Sequence, residues 1–181
     1  NKYYADTITV RCRPDYLGMP GLQPVILNGL YWAPVNVGAS TTDASTIRNL
    51  ASVGYYFQWG RHDTKFSIDE TYSTTPAAAT LVYKDVKEGR YNNIFITGAD
   101  WLQVGDPGIV ERNKLWSDGV NDFPCPKGWR VPTRQELNVL ATRYYSTYPY
   151  VYRFRSDESG KELLIPCGGL KHQANGVAPY N

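Results

Sequence analysis

Phe123-Pro124-Cys125-Pro126-Lys127-Gly128-Trp129-Arg130-Val131-Pro132-Thr133-Arg134-Gln135-Glu136-Leu137 concentrates more backbone constraint than any other stretch of the chain. Pro124, Pro126 and Pro132 each fix φ and remove a donor, Gly128 permits a tight turn, and Cys125 offers a covalent anchor. Thr133 followed three residues later by Glu136 is a capping box, so the stretch predicts a helix opening at Thr133 and running to about Thr142. Leu137, Leu140, Ala141 and Tyr144 then form one apolar stripe, and Trp129 stands just upstream, placed to pack under the helix.

Outward from this stretch, 181 residues suffice for one domain with a sizeable core and are few for two. An aromatic share of 14%, carried by 15 Tyr and 5 Trp, favours a folded, loop-rich domain containing β structure over disorder. A formal net charge of +2 with scattered Lys and Arg leaves no footprint for nucleic acid or an anionic membrane. No segment is long and apolar enough to span a bilayer, and the opening at Asn1 reads as mature or trimmed. Cys12, Cys125 and Cys167 are too far apart for a CxxC site. One disulfide with a spare thiol and three reduced cysteines both remain open on count alone.

Thr7-Ile8-Thr9-Val10-Arg11-Cys12 alternates as a strand, ended by Pro14 and followed by a Pro- and Gly-rich connector to Pro24. Asn28-Gly29 between Val25-Ile26-Leu27 and Leu30-Tyr31-Trp32-Ala33 predicts a hairpin on a type I′ turn. Ser40 to Thr46 is loop or the start of a short helix, and Gly54-Tyr55-Tyr56-Phe57-Gln58-Trp59-Gly60-Arg61 is an aromatic cluster too dense for a solvated loop. Residues 63–112 lack periodicity and predict long ordered loops, which makes their aromatics, Tyr72, Tyr83, Tyr91 and Trp101, candidate ligand contacts. Tyr148 and Tyr150, in the aromatic exit from the helix, are candidates for the same role. Glu162 to Cys167 reads as a short buried strand turned by Gly168-Gly169.

The blocks Tyr31-Trp32-Ala33-Pro34-Val35-Asn36-Val37-Gly38, Gly54 to Arg61, Cys125 to Thr133 and Glu136-Leu137, in that order, resemble the Fibrobacter succinogenes major paralogous domain over roughly Leu30 to Gly169. That family, common in surface and secreted proteins of Bacteroidetes and Fibrobacteres, looks C-type-lectin-like. The resemblance implies an α+β, C-type-lectin-like domain with small irregular antiparallel sheets, one or two helices and long ordered loops. Residues 1–20 form a leading strand and connector, and 21–181 the domain proper. Cys12, Cys125, Trp32, Trp59, Arg61, Trp129, Thr133 and Glu136 become structural positions, with Arg61 pinning its loop through an internal ion pair or cation–π contact.

The family's closing Tyr-Trp-Ser-Ser block and Val-Arg-Cys strand do not follow Gly169, whereas Val10-Arg11-Cys12 copies that strand at the front. The resemblance thus implies either the tail of a preceding copy or a front strand replacing the closing one, the latter with Cys12 bonded to Cys125 and Cys167 left over. It also implies export to the cell surface or outside.

The related formylglycine-generating enzymes use a cysteine pair on copper, but no second cysteine accompanies Cys125 here. Calcium is the ion that C-type lectins use, and Asp118, Asn121 and Asp122 supply oxygen donors without a clear motif. His62 and His172 read as isolated surface residues with no triad partner. The expected function is therefore a non-enzymatic recognition or adhesion module binding glycan or a surface protein, with no cofactor. The alternative is a structural subunit of a fimbria or lipoprotein assembly that completes its sheet with a partner's strand.

Overall fold

The computed structural model describes residues 15–43, 49–77, 88–98, 101, 116, 123–147 and 151–168. Cys12 and the strand around it, Tyr83, Tyr148, Tyr150, His172 and the oxygen donors Asp118, Asn121 and Asp122 lie outside these residues. The described chain is mixed α and β, built from three small sheets and two short α-helices.

The first sheet is the hairpin that Asn28-Gly29 calls for. β1 (Val25–Leu27) pairs antiparallel with β2 (Leu30–Trp32), Leu27 opposite Leu30 and Val25 opposite Trp32. Asn28 at φ 53 and Gly29 at φ 71 supply the two left-handed positions of a type I′ turn. The tip is clasped from far along the sequence. Arg143 Nε donates to Asn28 Oδ1 at 2.9 Å, Gly29 N–H donates to Glu158 Oε1 at 3.1 Å, and Lys161 Nζ reaches Gln23 Oε1 at 2.6 Å.

The helix α1 (Leu50–Val53) is one turn, with Asn49 and Ser52 capping each other reciprocally and Gly54 ending it at φ 74. The region expected to be loop throughout instead contains β3 (Ser73–Pro76) and β4 (Ile94–Thr97), paired parallel from Ser73–Ile94 to Pro76–Thr97. The expectation of antiparallel sheets alone is corrected here. Ser-Thr-Thr-Pro carries no apolar alternation, so its pairing follows from its neighbours and not from its own pattern.

α2 (Arg134–Ala141) opens as read, with Thr133 Oγ1 accepting from Glu136 N–H at 3.2 Å and Glu136 Oε2 accepting from Thr133 N–H at 2.7 Å. Its stripe is narrower than the spacing suggests. Leu140 alone is buried, Leu137 is 46% exposed, and Tyr144 already belongs to the next strand. With only two turns the helix seats one residue, and its Leu137 edge borders open space instead of a neighbouring element.

β5 (Tyr144–Thr147), β6 (Val151–Arg155) and β7 (Glu162–Pro166) form an antiparallel sheet in that order. One core joins Val25 and Leu27 of β1 to Leu140 of α2, Phe154 of β6 and Leu163 of β7, with Trp32 and Ile165 at its edge. Trp129 is not part of this core. It meets Tyr16 edge-on, ring centroids 5.1 Å apart, in a separate cluster with Val35 and Ala39 that fastens the Pro-rich connector.

Candidate functional site

The aromatic block before residue 62 proves to be framework, organised by a wholly buried guanidinium. Arg61 is 0% exposed and grips Asp63 through Nε at 2.8 Å and Nη2 at 2.6 Å. Its remaining donors go to Gln58 Oε1, Thr64 Oγ1 and the carbonyls of Ile94 and Tyr91. Gln58 completes the splice by pairing its side-chain amide with both backbone groups of Ile96, at 2.8 and 3.1 Å. A buried charge is tolerable only when paired and fully hydrogen-bonded, and here the bonding also fixes residues 91–96 against 58–64.

Several expected ligand contacts are spent inside this framework. Trp101 is buried and donates its indole N–H to the Trp59 carbonyl at 2.6 Å, which removes it from any binding face. Tyr91 packs half-buried against Ile96 and Trp101. Tyr72 stacks edge-on against Phe66, and its hydroxyl bonds Glu70 and accepts from Ser67 N–H. Burial is the first cause raising the Tyr72 pKa, with its bond to Glu70 next. His62, expected on the surface, lies half-buried against the Phe123 ring. Trp59 is the outward member of the block, its ring tilted at 52° to that of Trp116 with centroids 4.7 Å apart.

Open space lies elsewhere, beside the proline-rich stretch. A cleft of about 410 Å³ runs between β2, β7, the Tyr16 connector and the start of α2. Tyr31, Trp32 and Trp129 supply aromatic wall, Leu137 and Leu163 to Ile165 aliphatic wall. Leu30, Tyr31 and Leu137 are among the most exposed large apolar residues, and all three border it. Such a cleft is within the size range of ligand pockets, and apolar side chains left facing water stand around it.

No family model, curated protein or solved structure matches this chain. The chemistry of the cleft has to be read from its own groups.

Its polar members are few. Arg130 forks onto Glu136, Nη1 to Oε2 at 2.8 Å and Nη2 to Oε1 at 2.5 Å. That fork, then the Thr133 backbone N–H, holds the Glu136 carboxyl down at about 2. Asn36 spends its amide N–H on the Val53 carbonyl at 3.1 Å. Cys125 stands in the lining as a half-buried free thiol, its pKa raised by burial. Cys125 and Cys167 are not bonded to each other, and Cys12, which the family resemblance pairs with Cys125, lies outside the described residues. No group of three or more His, Cys, Asp or Glu side chains converges on a metal site among the described residues.

Thr133, Glu136, Trp32 and Trp129, placed by sequence among structural positions, thus frame or line the cleft. The cleft itself was missed because its walls come from β2, the proline-rich stretch and β7, and only their packing brings them together. The run Leu30-Tyr31-Trp32, apolar on both faces of a two-stranded hairpin, was the available signal. No helix among the described residues is long and apolar enough to cross a membrane.

Proposed function

We propose that this chain is a surface-exposed recognition module, C-type-lectin-like as its sequence blocks suggest, that binds a glycan or protein partner in the cleft between β2, β7 and α2. The observation that carries the reading is the cleft, pre-formed and open, with Leu30, Tyr31 and Leu137 left facing solvent at its walls. Recognition sites gain affinity from aromatic anchors held by a rigid frame, and Trp129 and Trp32 are held in that way. Residence at the cell surface or outside the cell belongs to the same proposal.

The test is a binding screen of the 181-residue chain against a glycan array and a panel of host surface proteins, repeated with Tyr31→Ala and Leu137→Ala. Binding that weakens in both variants while their melting midpoints hold supports the cleft. Silence across both panels, or binding that ignores both substitutions, sinks it.

A further inference from the structure

We propose that the cleft takes an apolar segment of a partner protein that carries a carboxylate, with the apolar side chains against Trp129, Tyr31 and Leu137 and the carboxylate on the free edge of Arg130. This deepens the recognition reading above and rests on it. The argument begins with the donors of Arg130. Its two Nη1 hydrogens go to the Val131 carbonyl at 3.3 Å and to Glu136, and one Nη2 hydrogen goes to Glu136. The Nε–H and the second Nη2–H, which together form the side-on edge of the guanidinium, are unspent among the described residues. The side chain is 57% exposed, so that edge is reachable. Two parallel N–H groups match the two oxygens of a carboxylate, and Glu136 already holds the other edge and orients the plane.

The charge balance of this wall points the same way. Lys127, Arg130 and Arg134 are exposed along the stretch, against Glu136 alone, so the wall keeps a positive surplus after the Arg130–Glu136 pair is formed. A sugar needs several fixed partners for its hydroxyls, whereas here Glu136 is committed, Asn36 has spent one amide N–H, and the rest of the wall is chiefly aliphatic and aromatic. Apolar protein side chains with one acidic residue fit that surface better than a saccharide does.

The experiment selects binders from a displayed library of short random peptides on the full chain. The expected enrichment is Asp or Glu next to aromatic or aliphatic residues. Affinity should fall about tenfold or more in Leu137→Asp, in Arg130→Gln and in Arg130→Lys, which keeps the charge but loses the fork. Leu137 is exposed, so Leu137→Asp tests the site without threatening the fold, and circular dichroism melting checks all three variants. Enriched peptides without a carboxylate, or binding indifferent to these substitutions, overturn the proposal. So does a self-association abolished by Leu137→Asp, which would make a second copy the occupant. A glycan ligand lost in Leu137→Asp would overturn it too while leaving the recognition reading standing, and failure of peptides and glycans alike would remove both.

Discussion

Arg61 commits all five of its N–H groups inside the protein, and Asp63, its ion-pair partner, is 7% exposed. Arg61→Ala would strand that carboxylate and two carbonyls, so a loss of about 3–5 kcal/mol is expected in urea unfolding. Arg61→Lys should recover only part of it, because an ammonium cannot reproduce the fork; a variant as stable as the parent would refute the role. Glu136 carries a pH signature. Its folded pKa of about 2 lies below the ordinary carboxylate range, so its contribution is complete above about pH 5 and is lost progressively as pH falls from there through about 2. Glu136→Gln should flatten that segment of the stability–pH curve, and an unchanged slope would count against the pairing. Burial that raises the Cys125 thiol predicts slow alkylation in the folded chain and fast alkylation in urea, read by peptide mapping. The capping pair was legible because both residues lie within one turn of sequence. Arg61's pairing to Asp63 is equally local, but its bonds to Tyr91 and Ile94 span about thirty residues, and no local pattern announces them.

At the scale of elements, local chemistry decides some pieces and packing decides others. Thr133→Ala removes the acceptor for Glu136 N–H and should cost about 1 kcal/mol in thermal or urea unfolding, with Thr133→Ser close to the parent. Gly38 sits at φ +88 with the Tyr55 ring against it, so a Cβ there would stand 2.1 Å from Tyr55 Cδ2. Gly38→Ala combines strain with a ring clash and should destabilise by about 2–3 kcal/mol; a smaller loss would show that Tyr55 yields freely. The β1–β2 hairpin and α2 were readable because Asn-Gly and a capping box dictate dihedrals and hydrogen bonds directly. The β3–β4 pair was not, since Ser-Thr-Thr-Pro depends on β4 and on the Arg61 and Gln58 splice behind it. The cleft was hidden for the same reason, being made by no single element.

At the scale of the whole molecule, the main core is assembled from two distant parts of the sequence. Val25 and Leu27 meet Leu140, Phe154 and Leu163, while Ile96 with Trp101 and Val53 with Ile68 form clusters of their own. A single backbone cleavage between β4 and α2 should therefore leave two fragments that remain associated. Gel filtration after limited proteolysis would show it, and separate elution of the fragments would refute it. The clasp of Arg143, Glu158 and Lys161 on the hairpin has a further effect. With that seam fastened, the polypeptide between β2 and α2 is an insertion whose ends are pinned independently of its contents, and lengthening it adds loop entropy only slowly. The seam that keeps the domain closed therefore does not depend on how long that connection is.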